Sequence, residues 1–181
     1  MKVDRSTTAT IRAATQNDAP GIAEVQVAGW RAGYRGLMPE AVLANLSVPK
    51  REAIWRRILA EGRFEVNIAE VDAIAVGFVN FGPSRDPDAT ATATGEILAI
   101  YVDPIHWHGG VGRTLMNAAL SRLESAGFKE ATLWVLESAA RTRSFYERQG
   151  FSVDGATKQE PVGEGGVTVG EIRYRRSLAL R

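Results

Sequence analysis

The stretch EILAIYVDPIHWHGGVGRTLM, residues 96–116, decides the fold class of this chain. It opens as a strongly apolar run that Asp103 and Pro104 close, which is typical of a buried central strand. Three glycines follow this strand within a few residues: Gly109, Gly110 and Gly112. Apolar residues then recur at helical spacing until Gly127. The stretch therefore predicts a strand, a glycine loop and a helix in direct succession.

The remaining sequence predicts further strands and helices on both sides of this unit. The first third of the chain is mainly helical, as cap residues and apolar stripes at helical spacing indicate. The runs VNIAEVD and AIAVGFVNFG meet at Asp72 and predict two antiparallel strands joined by a tight turn. A strand at ATLWVLE, a helix at AARTRSFYERQG and a final pair of strands, at FSVDG and VTVGEIRYRRSL, complete the order. We therefore expect an α/β fold with a central mixed, mostly antiparallel sheet of about six to seven strands and helices on both faces.

Length and composition are those of one globular domain. The chain has 181 residues, of which 45% are hydrophobic and 24% are charged. Residues 1–9 are polar and aperiodic, so we expect a flexible N-terminal tail there and a single domain over residues 10–181. The first residues lack the apolar core of a signal peptide, and no apolar run is long enough to span a bilayer. A cytoplasmic location is therefore expected.

Charge and cysteine content exclude several classes of site. The formal net charge is +1, which gives no general attraction to nucleic acids or anionic membranes. The absence of cysteine excludes disulfides, thiolate metal sites and cysteine nucleophiles. His106 and His108 are the only histidines, and two imidazoles without further ligands rarely hold an ion. No metal is expected.

The glycine loop suits an anionic ligand. A helix start exposes unpaired N–H groups and the positive end of the helix dipole, so a glycine-rich turn can surround a phosphate closely. Glycines also occur where a turn needs a positive φ, and spacing alone leaves both interpretations open. A Walker loop is excluded because Gly-Lys-Ser/Thr is absent, and the Rossmann pattern Gly-x-Gly-x-x-Gly does not follow an early strand.

The segment YVDPIHWHGGVGRTLM resembles the acyl-CoA-binding motif of the GNAT acetyltransferases, Gln/Arg-x-x-Gly-x-Gly/Ala after a strand that ends in Val-x-Pro. Trp107, Gly110 and Gly112 take the first, fourth and sixth motif positions, and Trp107 departs from the usual polar residue. The resemblance extends from about Thr10 to Leu178. It implies the GNAT fold and an enzyme that transfers an acetyl group from acetyl-CoA to a primary amine of a small molecule or peptide. Transfer would occur by direct attack in a ternary complex.

The resemblance also implies which residues hold the co-substrate. The backbone of Ile100, Tyr101 and Val102 would pair with the pantetheine arm like an added strand, and one strand N–H would polarise the thioester carbonyl. The backbone N–H groups of the glycine loop would hold the pyrophosphate: Trp107, His108, Gly109, Gly110, Val111, Gly112 and Arg113. Arg141 and Arg143 could meet the 3'-phosphate or be solvated on an exposed helix face.

Two residues match the proton-transfer groups of the family. Glu96 stands where many members carry a glutamate that deprotonates the amine, and an ordinary strand-edge carboxylate is the alternative. Tyr146 lies in RSFYERQGF, which resembles the hallmark Asn-x-x-Ala-x-x-x-Tyr followed by Gly-Phe. In that hallmark the tyrosine protonates the thiolate, whereas a core tyrosine is the alternative here. Ala139 replaces the hallmark's asparagine, so the side-chain contact usually made to the co-substrate is missing.

The acceptor side is less well specified. Trp30 and Tyr34 lie one helical turn apart, so they could line an acceptor pocket or pack in the core. A catalytically idle acyl-CoA-binding or sensor domain is the alternative to an enzyme, and nucleic-acid binding through the terminal RYRR is a third hypothesis that the small net charge disfavours. Homodimers are common in proteins of this kind, but the sequence does not decide the oligomeric state.

Overall fold

The structure is a computed structural model that describes residues 9–90, 92–163 and 167–178. The helices within these ranges are α1 (Ala19–Gly33), α2 (Glu40–Ala44), α3 (Val48–Glu61), α4 (Val111–Ser125) and α5 (Ala140–Arg148). The strands are β1 (Thr10–Ala13), β2 (Glu65–Val71), β3 (Ile74–Pro83), β4 (Thr94–Val102), β5 (Glu130–Leu136), β6 (Ser152–Val162) and β7 (Val167–Ser177).

The described strands form one seven-stranded sheet in the order β1-β2-β3-β4-β5-β7-β6. Only the β4–β5 pair within it is parallel, which confirms the expected mixed, mostly antiparallel sheet with β4 at its centre. The turn predicted at Asp72 joins β2 to β3. Asp72 and Ala73 both have positive φ, of 51° and 62°, as a two-residue hairpin turn requires.

Helices cover both faces of the sheet, as the sequence predicts. On β3 the side chains alternate between two core clusters. Phe78 belongs to the cluster that contains Ile22 of α1 and Trp55 of α3. Val79 belongs to the cluster that contains Leu115 of α4. The α1–α3 side and the α4 side of the sheet are therefore separate cores, with the strands between them.

β4 and β5 stay paired over only three residues each. Thr94 to Glu96 are in register with Glu130 to Thr132, and beyond this point the two strands diverge. The edge of residues 97–102 that faces β5 consequently has no strand partner within the described ranges. On its other edge, β4 pairs with β3 through a bulge, because Ile97 lies opposite Phe81 and Ala99 opposite Asn80, which leaves Leu98 without a partner.

The structure differs from the sequence-based expectation at β6 and describes only one residue of the predicted N-terminal tail. The predicted strand FSVDG is longer in the structure, since β6 continues to Val162 after an irregularity between Val153 and Thr157. Gly155 has a φ of 92° in this segment, so the glycine makes a bulge rather than an end. The tail predicted for residues 1–9 lies outside the described residues except for Ala9, which packs against the core.

Candidate active site

A cavity of about 1460 Å³ lies where β4 and β5 diverge. Typical small-molecule sites are about 300–1,000 Å³, so this cavity has room for an extended ligand and a second reactant. Its wall is formed by α1, the outer half of β4, the glycine loop, β5, α5 and parts of β6 and β7. Every residue predicted for the site from the sequence lines it: Trp30, Tyr34, Glu96, Ile100, Tyr101, Val102, Trp107, His108, Gly109, Gly110, Val111, Gly112, Arg113 and Tyr146.

The glycine loop presents backbone donors to the cavity. Gly110 is the N-cap of α4 with a φ of 84°, a conformation that side-chain-bearing residues rarely adopt. A Cβ atom placed on Gly110 would meet nothing within 4 Å, so the space in front of this residue is open. The first intrahelical hydrogen bond of α4 is donated by Thr114 to the Gly110 carbonyl. The N–H groups of residues 110–113 therefore have no partner in the helix and can bind an anion.

The contacts of the Trp107 ring explain why a tryptophan stands where the motif usually has a polar residue. The indole N–H donates a 2.8 Å hydrogen bond to the carbonyl of Val102, at the end of β4. The guanidinium of Arg141, on α5, lies 4.0 Å from the ring centroid. Trp107 thus joins the loop to the strand and to α5, and it places a cation at the mouth of the loop. Arg143 instead donates to the Tyr174 hydroxyl and to a backbone carbonyl, away from the loop.

Tyr146 lies at the boundary between the core and the cavity. Its ring is 7% exposed and meets Phe145, Phe151 and Tyr174 in the core, while the residue also lines the cavity. None of the hydrogen bonds among the described residues involves its hydroxyl. Burial raises the pKa of Tyr146 above the ordinary tyrosine value, so the hydroxyl is protonated at neutral pH.

Glu96 is not an exposed strand-edge carboxylate. It is the third residue of β4, only 2% exposed, and it lies two residues before the bulge at Leu98. Oε1 accepts a 2.7 Å hydrogen bond from Arg85 Nη2, and Oε2 accepts from the Arg85 backbone N–H at 2.9 Å and from Nε at 3.1 Å. The buried carboxylate therefore has a cationic hydrogen-bond partner on both of its oxygens.

Sequence reasoning missed Arg85 and the bulge. Arg85 lies in the segment PSRDPDATATATG, residues 83–95, whose composition is typical of a surface loop, and an arginine there has no periodic signal. The bulge depends on how β3 and β4 pair, which no residue type in β4 reveals. A further missed wall residue is Glu171 of β7, whose pKa is raised by burial, although Lys158 at 3.3 Å acts in the opposite direction.

Trp30 and Tyr34 line the cavity and also pack against the core. Their rings meet edge to face with centroids 5.4 Å apart. The Tyr34 hydroxyl lies 3.4 Å from that of Tyr101 on β4. The aromatic wall therefore connects α1 to the outer half of β4.

Neither a metal cluster nor a membrane span is found in the described ranges. No three His, Asp or Glu side chains there are grouped so that they could hold a metal ion. Among the same residues, no helix is long and apolar enough to cross a membrane.

Comparison with known proteins agrees with this geometry. The model of the acetyltransferase (GNAT) family matches residues 30–151. A Mycobacterium tuberculosis protein named a probable N-acetyltransferase is 32% identical over 169 residues, which cover 91% of each chain. The crystal structure of PaiA N-acetyltransferase from Thermoplasma acidophilum, in complex with coenzyme A, superposes with a TM-score of 0.72 at 21% identity over 94% of this chain and 99% of that one.

A second solved structure, YncA from Salmonella typhimurium with acetyl-CoA, gives a TM-score of 0.65 at 20% identity over 96% of this chain and 95% of that one. These structural likenesses show the fold, and the sequence matches show the family. The N-acetyltransferase class that the two motifs predict is confirmed by them. Since the family model spans more than half of the sequence, the chain belongs to the acetyltransferase (GNAT) family.

Proposed function

We propose that this chain transfers an acetyl group from acetyl-CoA to a primary amine of a small molecule or peptide, by direct attack in a ternary complex. The observation that carries the proposal is the divergence of β4 from β5 beside the open glycine loop. It leaves a free strand edge and a set of unpaired N–H groups in one cavity. PaiA and YncA, which share the fold, were crystallised with coenzyme A and with acetyl-CoA.

The residues present fit this co-substrate. We assign the N–H groups of His108 and of residues 110–113 to the pyrophosphate, because those of Trp107 and Gly109 donate to the carbonyls of Pro104 and His106. We assign the free edge of residues 100–102 to the pantetheine arm, which would extend the sheet like a short strand. Arg113 and Arg141 line the same part of the cavity and add positive charge for the phosphates. Bound acetyl-CoA would supply an activated thioester carbonyl for attack by the amine.

Three groups of the chain each have one role in the proposed transfer reaction. A backbone N–H of the Leu98 bulge, freed from the ladder, donates to the thioester oxygen as negative charge develops there. Glu96 accepts a proton from the amine, directly or through water. Tyr146 donates its proton to the sulfur as the carbon–sulfur bond breaks, and the net result is an amide and a thiol. Burial raises the pKa of Tyr146 above the ordinary tyrosine value, so this proton stays available to a higher pH than in an exposed tyrosine.

The alternative, an idle acyl-CoA-binding or sensor domain, is motivated by Ala139. This residue is 2% exposed and lines the cavity, but it offers no side-chain hydrogen bond where the family usually has asparagine. The single domain over residues 10–181, the cytoplasmic location and the homodimer stay predictions.

Release of free thiol from acetyl-CoA tests the proposal. Purified protein is incubated with acetyl-CoA and a panel of primary amines, and thiol is measured with a chromogenic disulfide. We expect amine-dependent release and an N-acetyl product of matching amount by mass spectrometry. Binding of acetyl-CoA without release for any amine would contradict transfer and favour the sensor domain.

A further inference from the structure

A smaller cavity of about 270 Å³ lies on the α1–α3 side of the sheet, behind the Leu98 bulge. We call it the side pocket and define it by Gln26, Arg51, Trp55, Asn80, Leu98 and Ala99. Four of these residues also line the large cavity: Gln26, Arg51, Leu98 and Ala99. The side pocket is therefore continuous with the place where the acceptor amine would react.

Two buried amides face this pocket with spare hydrogen-bonding capacity. Asn80, on β3 opposite Ala99, is 5% exposed, and its Oδ1 has no hydrogen-bond partner in the described part of the chain. Gln26 is 8% exposed, and its Oε1 accepts a 2.8 Å hydrogen bond from the Trp55 indole, which leaves the Nε2 donors for another group. Buried amides are normally satisfied, so these two side chains point to a polar ligand.

The pocket also holds an uncompensated positive charge. Arg51 is half-buried, and its guanidinium lies 5.2 Å from the centroid of the Trp30 ring. No carboxylate of residues 9–90, 92–163 or 167–178 forms an ion pair with it, whereas the neighbouring Arg85 is paired with Glu96. Glu61, the acidic residue of the pocket, lies 3.7 Å from Arg57 on the outside of α3. Arg51 is thus available to an anion.

We propose that the side pocket binds a carboxylate of the acceptor, so that the substrate is a small amino acid rather than a polyamine or a simple amine. This inference rests on the proposed function. The guanidinium of Arg51 and the Nε2 N–H groups of Gln26 supply the donors that a carboxylate requires. The unpaired Oδ1 of Asn80 can accept a hydrogen bond from the amine of the same molecule. The amine of the same molecule then lies toward Leu98. The apolar walls of the pocket suit an aliphatic side chain: Ile54, Trp55, Ile58 and Phe64.

The test compares acids with their carboxamides, because the two are of nearly equal size and the carboxamide lacks the negative charge. Titration calorimetry on CoA-loaded protein uses L-leucine, L-methionine, β-alanine and γ-aminobutyrate, each beside its carboxamide. We expect at least one acid to bind about tenfold or more tightly than its carboxamide. Arg51→Gln should abolish this preference. Asn80→Leu should weaken binding of the acid and of its carboxamide alike without lowering the free energy of unfolding, since it removes an unpaired buried acceptor. Arg57→Gln, on the exposed side of the same helix, is the matched control.

Equal binding of acids and amides, or no binding of any acid, would overturn the inference. So would a preference for acids that survives Arg51→Gln. Measuring thiol release with the same compounds distinguishes failure of the proposed function from failure of this inference. Transfer to amines that lack a carboxylate, with no preference for acids, would leave the proposed function standing and remove this inference. Arg51-dependent binding of an acid without any transfer would support the pocket and contradict the proposed function.

Discussion

Arg85 holds the carboxylate of Glu96 through three hydrogen bonds of 2.7 to 3.1 Å, from a loop to the central strand of the sheet. Glu96 is buried, whereas the Arg85 side chain is 51% exposed. The proposed proton acceptor is therefore held in position by a cationic partner that solvent can reach. Glu96 is therefore expected to affect both turnover and the free energy of unfolding, and the two effects can be measured separately.

Glu96→Gln should lower kcat/KM by about 10²–10⁴-fold if Glu96 is the base. The neutral amide cannot accept the amine proton, but its size is the same, so acetyl-CoA binding should change little. Arg85→Met should destabilise the fold by about 1–3 kcal/mol, less than a fully buried pair would, because Arg85 is half exposed. Urea unfolding of the two single variants and the double variant gives the coupling energy. Full turnover in Glu96→Gln would remove the base assignment.

Tyr146→Phe should reduce kcat by about 10²-fold or more while the dissociation constant of acetyl-CoA changes by less than about twofold. The change removes one hydroxyl and leaves the packed ring in place. Tyr174→Phe is a matched control, because that neighbouring hydroxyl is engaged by Glu147 and Arg143. Steady-state kinetics and calorimetry separate the two effects. Equal losses in both variants would show that the hydroxyl matters for packing and not for proton transfer.

The pH dependence should lack a descending limb over the ordinary range. An acid must be protonated to act, and burial raises the pKa of Tyr146 above the ordinary tyrosine value of about 10. We expect kcat/KM to rise with pH as the amine loses its proton and then to stay level to about pH 10. Initial rates of thiol release, with unfolding monitored at each pH, check this. A descending limb centred below about pH 9, with the fold intact, would contradict the assignment.

The ion pair between Asp18 and Arg12 should make the free energy of unfolding depend on pH in the acid range. Arg12 donates to both of its carboxylate oxygens, and chiefly this pairing lowers the pKa of Asp18 to about 2. A lowered folded-state pKa gives stability that is present above about pH 4 and is lost as the pH falls toward 2. Asp18→Asn should therefore cost about 1–2 kcal/mol at pH 7, allowing for the exposure of Arg12, and much less at pH 2.5. Glu24→Gln, on the exposed side of α1, serves as the control in urea unfolding. A cost independent of pH would contradict this account.

Periodicity and glycine positions were enough to predict the elements around the glycine loop. The apolar run of β4, the glycine loop and the amphipathic α4 predicted a strand, a loop and a helix in direct succession, and the structure has them in that order. Register is a relation between two strands, so the Leu98 bulge could not be read from β4 alone. Asn80 looked like one polar residue inside an apolar run, and its importance depends on burial without a partner. No sequence pattern marks Arg51 or Arg85, because their roles depend on which charged groups lie near them in the fold.

Titration of the protein with acetyl-CoA tests the central claim most directly. Gly110 has a positive φ and open space before it, so a Cβ there would meet nothing within 4 Å, and the substitution costs only backbone strain. We expect micromolar binding in the wild type, a loss of about 10²-fold or more in Gly110→Asp, and a much smaller loss in the neutral, equally sized Gly110→Asn. No binding of acetyl-CoA by the wild type, or equal binding by Gly110→Asp, would contradict the account.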